Sequence, residues 1–154
     1  MKRALLLAMA LLCAFSLLSC GGQSASAYAF SVNGQDAVPG ADAKPIIAAA
    51  GTYTDYRESG SCGGFDGMDK VYTYNGYRIY TTPDQNGDVI AKIEITSDAV
   101  ATKEGIKVGS TAAQITAAYG ESSAAGIYSY TAGNTVLQFT LRDGVVVGIV
   151  YSRK

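Results

Sequence analysis

The first question for this chain is which side chains could do chemistry, and the answer begins with one that is missing. There is no histidine among the 154 residues, which removes imidazole acid-base catalysis, Ser-His-Asp and Cys-His nucleophiles, and most zinc sites. The most conspicuous nucleophile left is Cys62, set in the glycine-rich stretch Glu58-Ser-Gly-Ser-Cys62-Gly-Gly-Phe-Asp-Gly-Met-Asp69. Two readings of it stand side by side. It is a reactive thiol or an intermolecular disulfide partner, with Arg57 and Lys70 as the nearby cations able to activate it, or it is a small apolar side chain tucked under the loop. Glu58, Asp66 and Asp69 offer paired carboxylates, yet acids spaced among glycines read as solvated turn formers. Asp84-Gln-Asn86-Gly-Asp88 alternates acids as a calcium loop does, but it lacks the glycine and the closing glutamate of an EF-hand and reads as a hairpin turn. No phosphate-binding glycine loop or nucleophile elbow is present. The remaining concentration is aromatic: Tyr53, Tyr56, Tyr72, Tyr74, Tyr77, Tyr80, Tyr128 and Tyr130 fall on a few short segments. Tyrosine supplies contact area and a hydrogen bond at low entropic cost, so Cys62, Phe65, Tyr53, Tyr56, Tyr72 and Tyr74 form the candidate interaction surface.

The N-terminal residues give an address. Lys2 and Arg3 precede an apolar run from Ala4 to Leu18, which has the length of a signal h-region and is short for a membrane span. Leu17-Leu18-Ser19-Cys20 follows, and it resembles the lipobox of bacterial lipoproteins. The resemblance implies cleavage after Ser19 and a diacylglyceryl group on the Cys20 thiol, which is the one covalent lipid expected and the only cofactor-like group. Residues 1–19 are then a signal peptide, and 20–27, small and polar, a flexible tether. Residues 28–154 form one domain. With Cys13 removed and Cys20 blocked, Cys62 has no intramolecular disulfide partner. Beyond residue 19 the chain holds 10 basic and 13 acidic residues, a net of −3 scattered singly. Without a basic stripe, no nucleic-acid partner is expected.

Positioning these residues falls to strands. Beyond the signal the chain has 2 Leu against 11 Val, 10 Ile and 11 Tyr, a β-weighted composition. Alternation places Val89, Ala91, Ile93 and Ile95 on one face and Ile90, Lys92, Glu94 and Thr96 on the other. Leu137, Phe139 and Leu141 alternate likewise, and Val145, Val147, Ile149 and Tyr151 follow the Asp143-Gly144 turn. Asn33-Gly34 and Asn75-Gly76 mark two more hairpins. Two short helices interrupt the strands. One runs from about Thr111 to Tyr119 behind a Thr111-Ala-Ala-Gln114 capping box, and a weaker one from Ala43 to Ala50 behind Asp42, each stopped by a glycine.

The segments recur. Tyr72 and Tyr74 return as Tyr128 and Tyr130, and Val89, Ile90 and Ile93 as Val145, Val146 and Ile149, at an offset of 56; Ile46 to Gly51 matches Ile115 to Gly120 at an offset of 69. The difference of 13 residues is the Cys62 loop. The expected architecture is α+β: two helix-plus-antiparallel-meander repeats, about 28–98 and 103–154, forming a sheet with short helices packed on one face.

The pattern Gly-Ile-x-Val-Gly-Ser-Thr-x-x-x-Ile-x-x-x-Tyr-Gly, Gly105 to Gly120 here, resembles the repeat of beta-lactamase inhibitor proteins and of the small assembly lipoproteins that share their fold. A closer resemblance covers nearly the whole domain. Ser61-Cys62, Gly67-Met-Asp-Lys-Val-Tyr-Thr-Tyr-Asn-Gly76 and Thr102-Lys-Glu-Gly-Ile106 are similar to segments of an uncharacterised lipoprotein family of Gram-positive bacteria. That family implies fold and location, and no activity. The sequence thus predicts an extracytoplasmic lipoprotein anchored to the cell membrane through Cys20, a non-catalytic binding module for an envelope protein or polymer, with no metal. A thiol-dependent enzyme or redox sensor using Cys62 is the alternative.

Overall fold

A computed structural model describes residues 27–62, 64–122 and 126–154. The signal segment, Cys20 and nearly all of the tether lie outside the described residues. The rest is mostly antiparallel sheet with two short helices. A small hairpin comes first, β1 (Phe30–Val32) and β2 (Gln35–Ala37), closed by Asn33-Gly34 with both residues at positive φ. Helix α1 (Ala43–Ala50) follows, its first turn capped by the Asp42 carboxylate, which accepts from the Lys44 N–H at 2.9 Å. Then come β3 (Asp55–Gly60), β4 (Met68–Tyr74), β5 (Tyr77–Asp84) and β6 (Gly87–Ile95). Helix α2 (Ala112–Tyr119) has the full capping box between Thr111 and Gln114. The chain ends with β7 (Tyr128–Ala132), β8 (Thr135–Arg142) and β9 (Val145–Arg153). Seven strands make one sheet in the order β3-β4-β5-β6-β9-β8-β7.

The face of this sheet that carries the core can be read along a single transverse row. Tyr56, Tyr72, Ile79, Ile93, Tyr151, Leu137 and Tyr130 stand opposite one another from edge to edge. Its middle is sealed: Ile79, Ile93 and Leu137 are fully buried, covered by Phe30, Val32 and Ala37 from the small hairpin, Ile46 from α1 and Ile115 from α2. Burying an isoleucine side chain contributes roughly 1.5–3 kcal/mol, so the row is the main source of cohesion across strands distant in sequence.

The expected facing of two strands is corrected. Tyr80 stands opposite Lys92 but Thr81 opposite Ile90, so Ala91 is an unpaired bulge residue. The bulge inverts the alternation: Ile90 is buried together with Ile93 and Ile95, and Val89 and Ala91 are only half-buried. In β9, Thr140 faces Gly148 and Leu141 faces Val146, leaving Val147 unpaired. There Val146 is buried with Ile149 and Tyr151, and Val145 and Val147 are exposed. Both bulges sit beside a helix start. Asp42 bridges Val89 and Thr111 bridges Val145, with Ile90 bonded to Gly40 and Ala41 at 2.7 and 2.9 Å, and Val146 to Gly109 and Ser110 at 2.8 Å each. The added twist of a bulge bends each strand toward the segment that feeds a helix.

Candidate interaction surface

Strand β3, which the alternation did not reveal, is the edge that shapes the site. Its sequence Asp-Tyr-Arg-Glu-Ser-Gly is polar, and among the described residues it pairs only with β4. Helix α1 packs on β1, β2 and β6. The β3–β4 hairpin therefore projects past the helical cover, and five of the six β3 residues are exposed.

On the core side of this hairpin three tyrosine rings meet. Tyr53 and Tyr56, Tyr56 and Tyr72, and Tyr53 and Tyr72 have centroids 5.6, 5.2 and 5.6 Å apart. Rings this close pack on one another and leave no room for a cation among them, so the cluster is a contact platform and not an aromatic cage. Tyr53 is 44% exposed. The Tyr56 hydroxyl donates to Glu58 Oε2 at 2.6 Å, and that bond to a carboxylate pushes its pKa up to about 12. Lys70, one position along, is held by Asp88 at 2.5 Å.

Of the six residues placed on the surface from sequence, the structure brings three together. Tyr74 is a correction: it is 6% exposed, stacks on Tyr77 at 4.9 Å, and belongs to the core. Burial pushes its pKa up to about 12. Phe65, 48% exposed, and Cys62, exposed with a free thiol, lie in the loop beyond the last β3–β4 pair, Gly60 with Met68. Exposure overturns the reading of Cys62 as a side chain tucked under its loop. The cations proposed to activate it have carboxylate partners, Arg57 with Asp55 at 3.0 Å and Lys70 with Asp88. Of the acids expected in turns, Asp84 and Asp88 flank the β5–β6 turn, whereas Glu58 and Asp69 are a correction: they lie inside β3 and β4, paired across the hairpin with Lys70 and Ser59.

The opposite face of the same strands holds a feature that the sequence reading missed. A shallow hollow of about 620 Å³ lies over Ser59, Val71 and Ala91, walled by Arg57 on one side and by Tyr80 and Lys92 on the other. The Lys92 ammonium sits 3.9 Å from the Tyr80 ring centroid. The Tyr80 hydroxyl donates to Glu94 at 2.7 Å, and Thr82 donates to Asp69 at 2.7 Å. Burial, and then the Glu94 hydrogen bond, raise the Tyr80 pKa. The signal for this hollow was a spacing of three between strongly apolar residues, Ile90 and Ile93, inside a strand. Such spacing demands a bulge, and the bulge puts the small Ala91 side chain where a larger one would fill the floor. Comparison of the chain with known protein families, curated proteins and solved structures returned no match.

Proposed function

We propose that this protein is a membrane-tethered, non-catalytic binding module of the cell envelope, anchored through a lipid on Cys20 and docking a partner through the β3–β4 hairpin. The observation that carries the reading is the projecting hairpin, which displays a tyrosine platform on one face and a walled hollow on the other. Aromatic side chains held at the surface without helical cover are the chemistry of an interface. Geometry adds a separation. Tyr28, at the start of the described chain, packs on Tyr119, whose ring lies against Tyr130 and Phe139 of β7 and β8. Six strand spacings separate β7 from β3, about 29 Å at the usual interstrand distance. A tether entering beside β7 keeps the anchor point that far from the hairpin and leaves the β3 edge clear of it.

The test is in-cell crosslinking of the chain followed by mass spectrometry, with Cys20→Ala to release the anchor and a Tyr53→Ala/Tyr72→Ala variant to strip the platform. The expected result is an adduct that changes location with the first variant and disappears with the second. Correct anchoring with no adduct would end the reading.

The repeat belongs to the same proposal, and its support is structural pairing. The bulge residues Ala91 and Val147, the bridged residues Val89 and Val145, and the helix caps Asp42 and Thr111 stand at the offsets of 56 and 69 found in the sequence. Where β6 meets β9, Ile93 faces Tyr151, Ile95 faces Ile149, and Glu94 faces Val150. With an offset of 56, that register is the one a two-fold axis between Glu94 and Val150 would generate.

A thiol-based function is the second reading, favoured by the exposure of Cys62. It requires iodoacetamide alkylation of Cys62 that is fast near neutral pH, and slow alkylation that rises only toward the ordinary thiol range removes it.

A further inference from the structure

We propose that the partner of the β3 edge is a second copy of this chain, added strand to strand about a two-fold axis through Tyr56; this rests on the reading of the hairpin as the docking element and names its occupant. The phase of the hydrogen bonds selects which groups are free. Tyr74 and Tyr77 close a two-residue turn, so they form a hydrogen-bonded pair, and Tyr72 and Lys70 likewise aim their backbone at β5. Thr73, Val71 and Asp69 then serve β3, engaging Asp55, Arg57 and Ser59. The N–H and C=O groups of Tyr56 and Glu58 face outward from the edge, with no strand beside them among the described residues. An exposed row of this kind is a template for another strand.

Charge then selects the register. A two-fold axis keeps each face on its own side, so a centre at Arg57 sets two guanidinium groups against each other, and one at Glu58 opposes two carboxylates. A centre at Tyr56 places Asp55 of each copy opposite Arg57 of the other, twice. In one chain these two side chains already pair at 3.0 Å while 50% and 80% exposed. Across the axis they would bridge the copies, and the Tyr53, Tyr56 and Tyr72 cluster would meet its own image around Tyr56. The interface is isologous and closed, so it ends at a dimer. A six-residue edge buries far less than the roughly 1,200 Å² of a stable soluble complex, so the association depends on both copies being confined to one membrane.

The experiment uses the full chain in the membrane of a lipoprotein-processing bacterium, in a Cys62→Ser background. Tyr56→Cys is expected to give a disulfide dimer on mild oxidation, because paired Cα atoms in this register lie within disulfide reach. Glu58→Cys, two residues from the axis on each strand, is expected to give none. Arg57→Asp should lower the Tyr56→Cys dimer yield several-fold, and Asp55→Arg with Arg57→Asp should restore it. No Tyr56→Cys dimer, or an equal yield from Glu58→Cys, overturns the proposal. A photo-crosslinking phenylalanine at position 56 separates the two ideas. Capture of a different protein removes the second copy and leaves the docking reading, and no adduct of any kind removes both.

Discussion

A phenol sealed in an apolar core without a hydrogen-bond partner opposes folding, and two tyrosines here are in that position. Among the described residues the hydroxyls of Tyr74 and Tyr151 have no partner, although their rings stack on Tyr77 and lie against Phe30. Removing the oxygen while keeping the ring should lose nothing. Tyr74→Phe and Tyr151→Phe are each expected to leave stability unchanged or raise it by up to about 1 kcal/mol in urea unfolding; a loss above that would reveal a bonded water. The same burial makes stability fall in alkali. Tyr74 ionises near 10 in an unfolded chain and at about 12 when folded. Its folded pKa is the higher one, so the folded state holds its proton more tightly. The contribution is therefore fully present below pH 10 and is lost as pH rises toward 12. The urea midpoint should be flat from about pH 7 to 9 and drop above 10, less steeply in Tyr74→Phe. Sequence placed Tyr72 and Tyr74 alike, and both do share the core face. What parts them is the Tyr77 ring stacked on Tyr74, with Phe30 of the first hairpin against Tyr77, a cover that the alternation along β4 does not carry.

Elements were legible where a local rule fixes them. The Asn-Gly turns, the Thr111 capping box and both helix stops follow from residues within one turn of each other, and each stands where it was read. Strand β3 was not legible, because an edge strand lacks the buried side that creates alternation. The facing of β6 and β9 was read correctly for Ile93, Ile95, Ile149 and Tyr151 and exchanged only before each bulge, where one extra residue swaps the two sides of a strand. Only the three-residue step from Ile90 to Ile93, repeated from Val146 to Ile149, betrayed it. Turn chemistry also gives a prediction at this scale. Gly76 closes the β4–β5 turn at φ +90, and a Cβ there would lie 3.0 Å from Ala99 Cβ and 3.1 Å from Ser97 Oγ. Gly34 closes the β1–β2 turn at φ +84 with nothing within 4 Å. Both substitutions by alanine incur the left-handed penalty of roughly 1–2 kcal/mol, and only Gly76→Ala adds a clash. Thermal unfolding should rank Gly76→Ala clearly below Gly34→Ala, and equal losses would show that the loop holding Ala99 yields freely.

At the scale of the whole molecule, most strand pairs join neighbours in sequence, and the exception is the seam between β6 and β9. There Ile93 faces Tyr151 across a separation of 58 residues and Ile95 faces Ile149 across 54. Loop closure must precede these contacts, so the two meanders depend on the seam to become one sheet. If the chain is two copies of one unit, Ile93 and Ile149 are the same position seen from either side of the axis. Both are fully buried, and each is diagonal to the other across the seam. Ile93→Ala and Ile149→Ala should each cost about 2–5 kcal/mol, and the two losses should agree within about 1 kcal/mol, a difference of the size that context alone introduces between equivalent sites. The double variant should cost less than the sum, because side chains in contact share a cavity. Urea unfolding of the three variants decides it. Unequal single losses with full additivity would mean that the two halves fill the core by different means, and the matching bulges would then reflect only the need to bend a strand toward a helix start.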